Sequence, residues 1–84
     1  MVNNGELNVK VRLNSVDKVK AFVGTVSQID CDFDLISGRY VVDAKSIMGI
    51  FSLDLSKPIA MRIHYRDRVT PDFLLDVLKP YLCE

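Results

Sequence analysis

Three stretches of this chain alternate between apolar and polar residues, and that period of two limits the folds open to it. Leu7, Val9, Val11 and Leu13 point one way while Glu6, Asn8, Lys10 and Arg12 point the other. Cys31, Phe33 and Leu35 oppose Asp32 and Asp34, and Ile59, Met61, Ile63 and Tyr65 oppose Arg62 and His64. Each stretch reads as a strand with one face in a core and one in water. Strands of a fully buried parallel sheet would be apolar on both faces, so the pattern calls for an antiparallel sheet covered on one side only. A fourth strand, "RYVVD", follows "CDFDLI" across Ser37-Gly38, and a short Gly-containing turn between two β-rich runs predicts a hairpin.

The segments between the strands change period. Asn14 and Ser15 offer capping side chains, and Val16, Val19, Val23, Val26 and Ile29 then recur every three or four residues, with Phe22 beside them. This is one face of an amphipathic helix. Its valines and Gly24 give it little propensity of its own, so packing must hold it. Ser46 can cap a short helix of about two turns, which Lys57-Pro58 closes off. A polar connection, "RDRV", leads to Thr70-Pro71-Asp72, a helix start with Thr as cap, Pro in the first turn and an acid beside it. Leu74, Val77, Leu78 and Tyr81 form that helix's apolar face, and Pro80 limits its regular continuation. The order is β-α-β-β-α-β-α. The expected fold is α+β, an open-faced β-sandwich with a four-stranded antiparallel sheet and three helices on one face.

Charge and composition narrow the function. The chain's 84 residues fit one small domain, 1–84, without repeats or linkers. Lys+Arg and Asp+Glu both number 11, so the basic excess of a nucleic-acid binder is absent. No apolar run is long enough to span a bilayer, and "MVNNGELNVKV" lacks the apolar centre of a secretory signal, so a cytoplasmic location is expected. Cys31 and Cys83 are spaced as two free thiols of a reducing compartment. One His and two distant Cys do not make a metal cluster. No Gly-rich phosphate loop, paired-carboxylate site or nucleophile-base pair stands out, so neither an enzyme nor a bound cofactor is expected.

The element order, the length and above all "KSIMGIFSL", Lys45 to Leu53, resemble HPr, the histidine-containing phosphocarrier of the bacterial sugar phosphotransferase system. The likeness runs from about Leu7 to Leu82. It implies the HPr-like open-faced sandwich. It also implies protein partners: Enzyme I and sugar-specific Enzymes IIA of the phosphotransferase system, an HPr kinase, and a transcriptional regulator of catabolite repression. HPr carries phosphate on a His at the start of its first helix, in a loop of the type G-[IL]-H-A-R-P. The matching stretch here, "RLNSVDKVKAF", has no His, Arg neighbour or Pro; Ser15 falls near the place of the His and Asp17 near that of the Arg. A Ser hydroxyl without a base is a poor nucleophile, and Asp17 would repel a phosphoryl donor where an Arg would hold it. His64, the one His, belongs to a strand's polar face, away from any helix N-terminus that would favour an anion.

The Ser46 segment keeps the family's pattern. In HPr of many Gram-positive bacteria the corresponding Ser is phosphorylated by an ATP-dependent kinase. A related protein, catabolite-repression HPr, lacks the active His, keeps the Ser and is regulatory. By this resemblance Ser46 is a candidate phosphorylation site, and Ile47, Met48 and Phe51 are candidate partner contacts. The residues themselves allow Ser46 a second reading, as the cap of a helix and nothing more. Three functions follow. One is a regulatory, protein-binding homologue without the phosphocarrier His, switched at Ser46. Another is a phosphocarrier using a non-standard residue. The third is an interaction module of the same fold outside sugar transport.

Overall fold

The computed structural model describes residues 4–66 and 68–83. Residues 1–3, at the head of the stretch searched for a signal, Asp67 of the polar connection and Glu84 lie outside the described residues. Four strands, β1 (Gly5–Val11), β2 (Asp32–Ser37), β3 (Tyr40–Asp43) and β4 (Ile59–Tyr65), alternate with helices α1 (Val16–Ser27), α2 (Ile47–Phe51) and α3 (Pro71–Leu78) in the expected order. The strands form one antiparallel sheet in the order β1-β4-β2-β3.

Strands β4 and β2 lie inside the sheet, and β4 ties its two halves together: Ile63 faces Leu7 of β1 and Phe33 of β2, and Met61 faces Val9 and Leu35. The side chains of Ile59, Met61, Ile63, Phe33 and Leu35 are buried under the helices. The other face of the sheet carries the polar rows, Glu6–His64–Asp32 and Asn8–Arg62–Asp34–Asp43. The β2–β3 hairpin closes through Gly38-Arg39, with Ser37 paired to Tyr40. Gly38 has φ +60°, a backbone region costly for any residue with a Cβ, which is why a Gly occupies the turn.

Helix α1 lays Val19, Phe22 and Val26 on the sheet, with Ile29 buried just beyond its end. Val16 departs from the expected face and is 55% exposed. It is the first helical residue, one turn ahead of Val19, and it lines an open groove with Phe51 and Leu55. Helix α3 begins at the Thr70 cap, whose hydroxyl accepts the Phe73 N–H at 3.1 Å, and buries Leu74 and Leu78. Pro80 sits in a 3-10 turn, Lys79–Tyr81, that follows it. The turn swings Tyr81 edge-on against Phe22, with centroids 5.3 Å apart. The chain then returns along β1: Leu82 bridges Val11, and the Cys83 N–H donates to the Lys10 carbonyl at 2.9 Å.

Cys31 is buried and Cys83 half-buried, and neither is in a disulfide. Burial pushes the Cys31 thiol above its ordinary value, with Arg66 and Lys45 partly opposing the shift. A group whose folded pKa is raised stabilises the fold below its unfolded pKa and loses that contribution as pH rises through the folded one. Unfolding free energy should therefore fall as pH climbs through the alkaline thiol range, and this fall should vanish in Cys31→Ala. Native alkylation should modify Cys83 well before Cys31; urea titrations at several pH values and a thiol-labelling time course check both.

Candidate functional site

The segment that carries Ser46 begins where β3 stops. The Asp43 carbonyl accepts the Ser46 N–H and its carboxylate accepts the Lys45 N–H, both at 2.9 Å, which turns the chain out of the sheet. Ala44, between them, is fully buried and donates its N–H to the Phe33 carbonyl. Lys45 then reaches away from Ser46. Its ammonium donates to the Ile29 carbonyl at 3.0 Å and lies 5.7 Å from the centre of the Phe33 ring. This tether joins the loop before α2 to the end of α1, and sequence reading missed it.

Ser46 is extended, as an N-cap must be, and its hydroxyl accepts the Gly49 N–H at 3.3 Å while its carbonyl accepts that of Ile50. A Cβ on Gly49 would stand 3.3 Å from Ser46 Oγ and 3.4 Å from Val42 Cβ, so Gly lets the cap and β3 close on the helix from two sides. The helix holds five residues rather than the expected two turns. It stops because Ser52 and Leu53 turn back, with the Leu53 N–H on Ile50 and the Ser52 hydroxyl on the Gly49 carbonyl.

Such a short helix can bury one side only. Ile50 is fully buried, Ile47 is half-buried against the core, and Met48 and Phe51 are 77% and 40% exposed. Ile47 therefore has less side chain to offer a partner than Met48 or Phe51. Beyond Leu53, the Asp54 carboxylate accepts both the hydroxyl and the N–H of Ser56, contacts that hold it below the usual carboxylate range.

Lys45 touches the end of α1, whereas Phe51, Leu55 and Ser56 share a groove of about 500 Å³ with Asn14, Ser15 and Val16 at its start. Thus α2 runs back along α1, and Ser46 and Ser15 lie at opposite ends of that run. Ser15 is the N-cap of α1, its hydroxyl accepting the Lys18 N–H at 3.1 Å, with the exposed Asp17 in the first turn. No His stands beside it. His64 is on the open face of the sheet, with Nδ1 3.8 Å from a Glu6 carboxylate oxygen and Asp32 across on the other side. With Asp32, Asp34, Asp43 and Lys45 it lines a hollow of about 340 Å³ that neither Ser15 nor Ser46 borders. Among the described residues no group of three or more His, Cys, Asp or Glu could hold a metal, and no helix is long and apolar enough to cross a membrane.

No protein-family model matches the sequence, and no curated protein matches it. The fold, by contrast, has solved counterparts. The phosphocarrier protein HPr from Bacillus anthracis str. Ames superposes with a TM-score of 0.66 at 24% identity, over 95% of this chain and 98% of that one. HPr-C-His from Thermoanaerobacter tengcongensis superposes with a TM-score of 0.60 at 22% identity, over 93% and 88% of the two chains. Four antiparallel strands in one open sheet, under three helices in this order, are the HPr fold.

Proposed function

We propose that this protein works by binding other proteins rather than by carrying phosphate, with the Ser46 segment as its docking surface and Ser46 as a phosphorylation switch. The observation that carries the reading is an asymmetry between the two ends of α2. Near the start of α1, Ser15 has its oxygen in a helix cap, an acid two residues on and no base. Such a hydroxyl neither attacks a phosphoryl group readily nor passes one on. At the other end Ser46 is exposed, and Met48 and Phe51 present apolar surface next to it. Exposed apolar surface of this kind suits a partner, and the unbranched thioether of Met48 adapts to varied contacts.

Phosphate on Ser46 would add close to two negative charges at the edge of this patch without requiring a new fold. Lys45, the nearest cation in sequence, is tied to Ile29, so the basic groups that read the phosphate would come from the partner. An HPr kinase and a catabolite-repression regulator are the partners that the resemblance suggests. Incubation with ATP and an HPr kinase, followed by mass spectrometry, tests this. One phosphate is expected, on Ser46, and none on Ser46→Ala. Because Ser46→Ala also loses a cap worth about 1 kcal/mol, Ser46→Asp serves as the folded control. Absence of phosphate on the native chain would remove the switch.

A further inference from the structure

The two edges of the sheet are finished differently. The β1 edge is partly covered by the segment after α3, through the Val11–Leu82 bridge and the bond from Cys83 to Lys10. The β3 edge has no such cover among the described residues. Its one guard is its shortness, four residues; it carries no Pro and no charge in the middle of the strand. It reads Arg39-Tyr40-Val41-Val42-Asp43, with Tyr40 and Val41 71% and 57% exposed.

We propose that the β3 edge pairs antiparallel with the β3 edge of a second copy of this chain. The register follows from the backbone. The Ala44 N–H bonds inward to Phe33 of β2, so in an antiparallel ladder Val42 and Tyr40 also face β2, while Val41 and Asp43 turn their N–H groups outward. Two outward-facing strands join when Val41 meets Val41 of the second copy on the twofold axis. In that register the turn residue Arg39 of each copy comes beside Asp43 of the other, whose carboxylate also accepts the Lys45 N–H. Tyr40 stands across from Val42, a favourable aromatic and β-branched pair. The strand is thus complementary to itself in charge and apolar surface, and in hydrogen bonding at Val41; the Asp43 carbonyl already accepts the Ser46 N–H.

The twofold axis is perpendicular to the sheet, so the eight-stranded sheet carries both helical layers on the same face. Both Ser46 segments then point to one side, and a partner with two sites could engage them together. This pairing does not depend on whether Ser46 is phosphorylated.

Sedimentation equilibrium and amide exchange on the full chain, from micromolar to millimolar concentration, test the pairing. Apparent mass is expected to rise toward twice the monomer, and the Val41 and Asp43 amides should gain protection in step with it. Arg39→Glu replaces two attractive cross-strand pairs with two repulsive ones and should weaken the dimer about tenfold. Val41→Pro removes the outward N–H and should abolish it; Val41→Lys, which leaves the backbone intact, should do the same if Pro disturbs the strand. A monomer at every concentration would overturn the proposal. So would a dimer in which the Val41 amide still exchanges freely, or one that survives Val41→Lys unweakened.

Discussion

Phe22→Ala is expected to lower the unfolding free energy by about 3–5 kcal/mol, the largest loss among the substitutions considered. Phe22 is fully buried in the face that α1 lays on the sheet, and its ring receives the edge of Tyr81. Truncation removes the apolar area and the aromatic contact, and it opens a cavity that the sheet cannot collapse to fill. Against a total stability of roughly 5–15 kcal/mol for a domain, such a loss leaves α1 poorly docked. Urea denaturation followed by circular dichroism should show the midpoint fall by about a fifth or more. The same loss at Phe22→Leu would show that the site tolerates no change of shape; a small loss at Phe22→Ala would mean that α1 is not held as described. Because α1 carries Ser15 and one wall of the groove shared with Phe51, its loosening should also blunt any binding at that surface.

Lys45→Met is expected to cost roughly 1–2 kcal/mol, from a charge-assisted hydrogen bond to a carbonyl and a cation–π contact. Methionine keeps most of the apolar stem, so the loss isolates the ammonium. Its effect should be local as well as global. The Lys45 tether fixes the loop that delivers the Ser46 cap, and the Gly49 and Ile50 amides bond to Ser46. Those two amides should lose exchange protection beyond the general decrease, while amides in β4 should follow global stability alone. Lys45→Arg, which still reaches the Ile29 carbonyl, should recover much of the protection. Uniform loss across all amides would show that Lys45 supports the core and not the Ser46 loop.

Local rules reached most of the fold. The alternation in Leu7–Leu13 and Ile59–Tyr65 is a property of neighbouring residues, and so are the caps at Ser15, Ser46 and Thr70; each appears in the structure where its residues predict it. The placement of His64 on the open face was legible for the same reason. What failed was what depends on distant chain. Val16 continues the apolar period of α1, but whether it is covered depends on the distant segment around Phe51 and Leu55, which leaves it in an open groove. The Lys45 tether spans sixteen residues in sequence, and no local pattern signals a lysine that ends on a carbonyl. The length of α2 was overestimated because its apolar run continues to Leu53, whereas the helical bonds stop when Ser52 competes for the Gly49 carbonyl.

The chain has the HPr fold, and the proposal is that it does not carry phosphate. The most direct test offers it phosphoenolpyruvate and Enzyme I, beside a functional HPr as positive control, and looks for an acid-labile phosphoryl group by intact mass. The control is expected to be loaded and this chain is not. An acid-labile phosphoryl group on this chain, lost in His64→Ala, would contradict the proposal and make His64 the carrier.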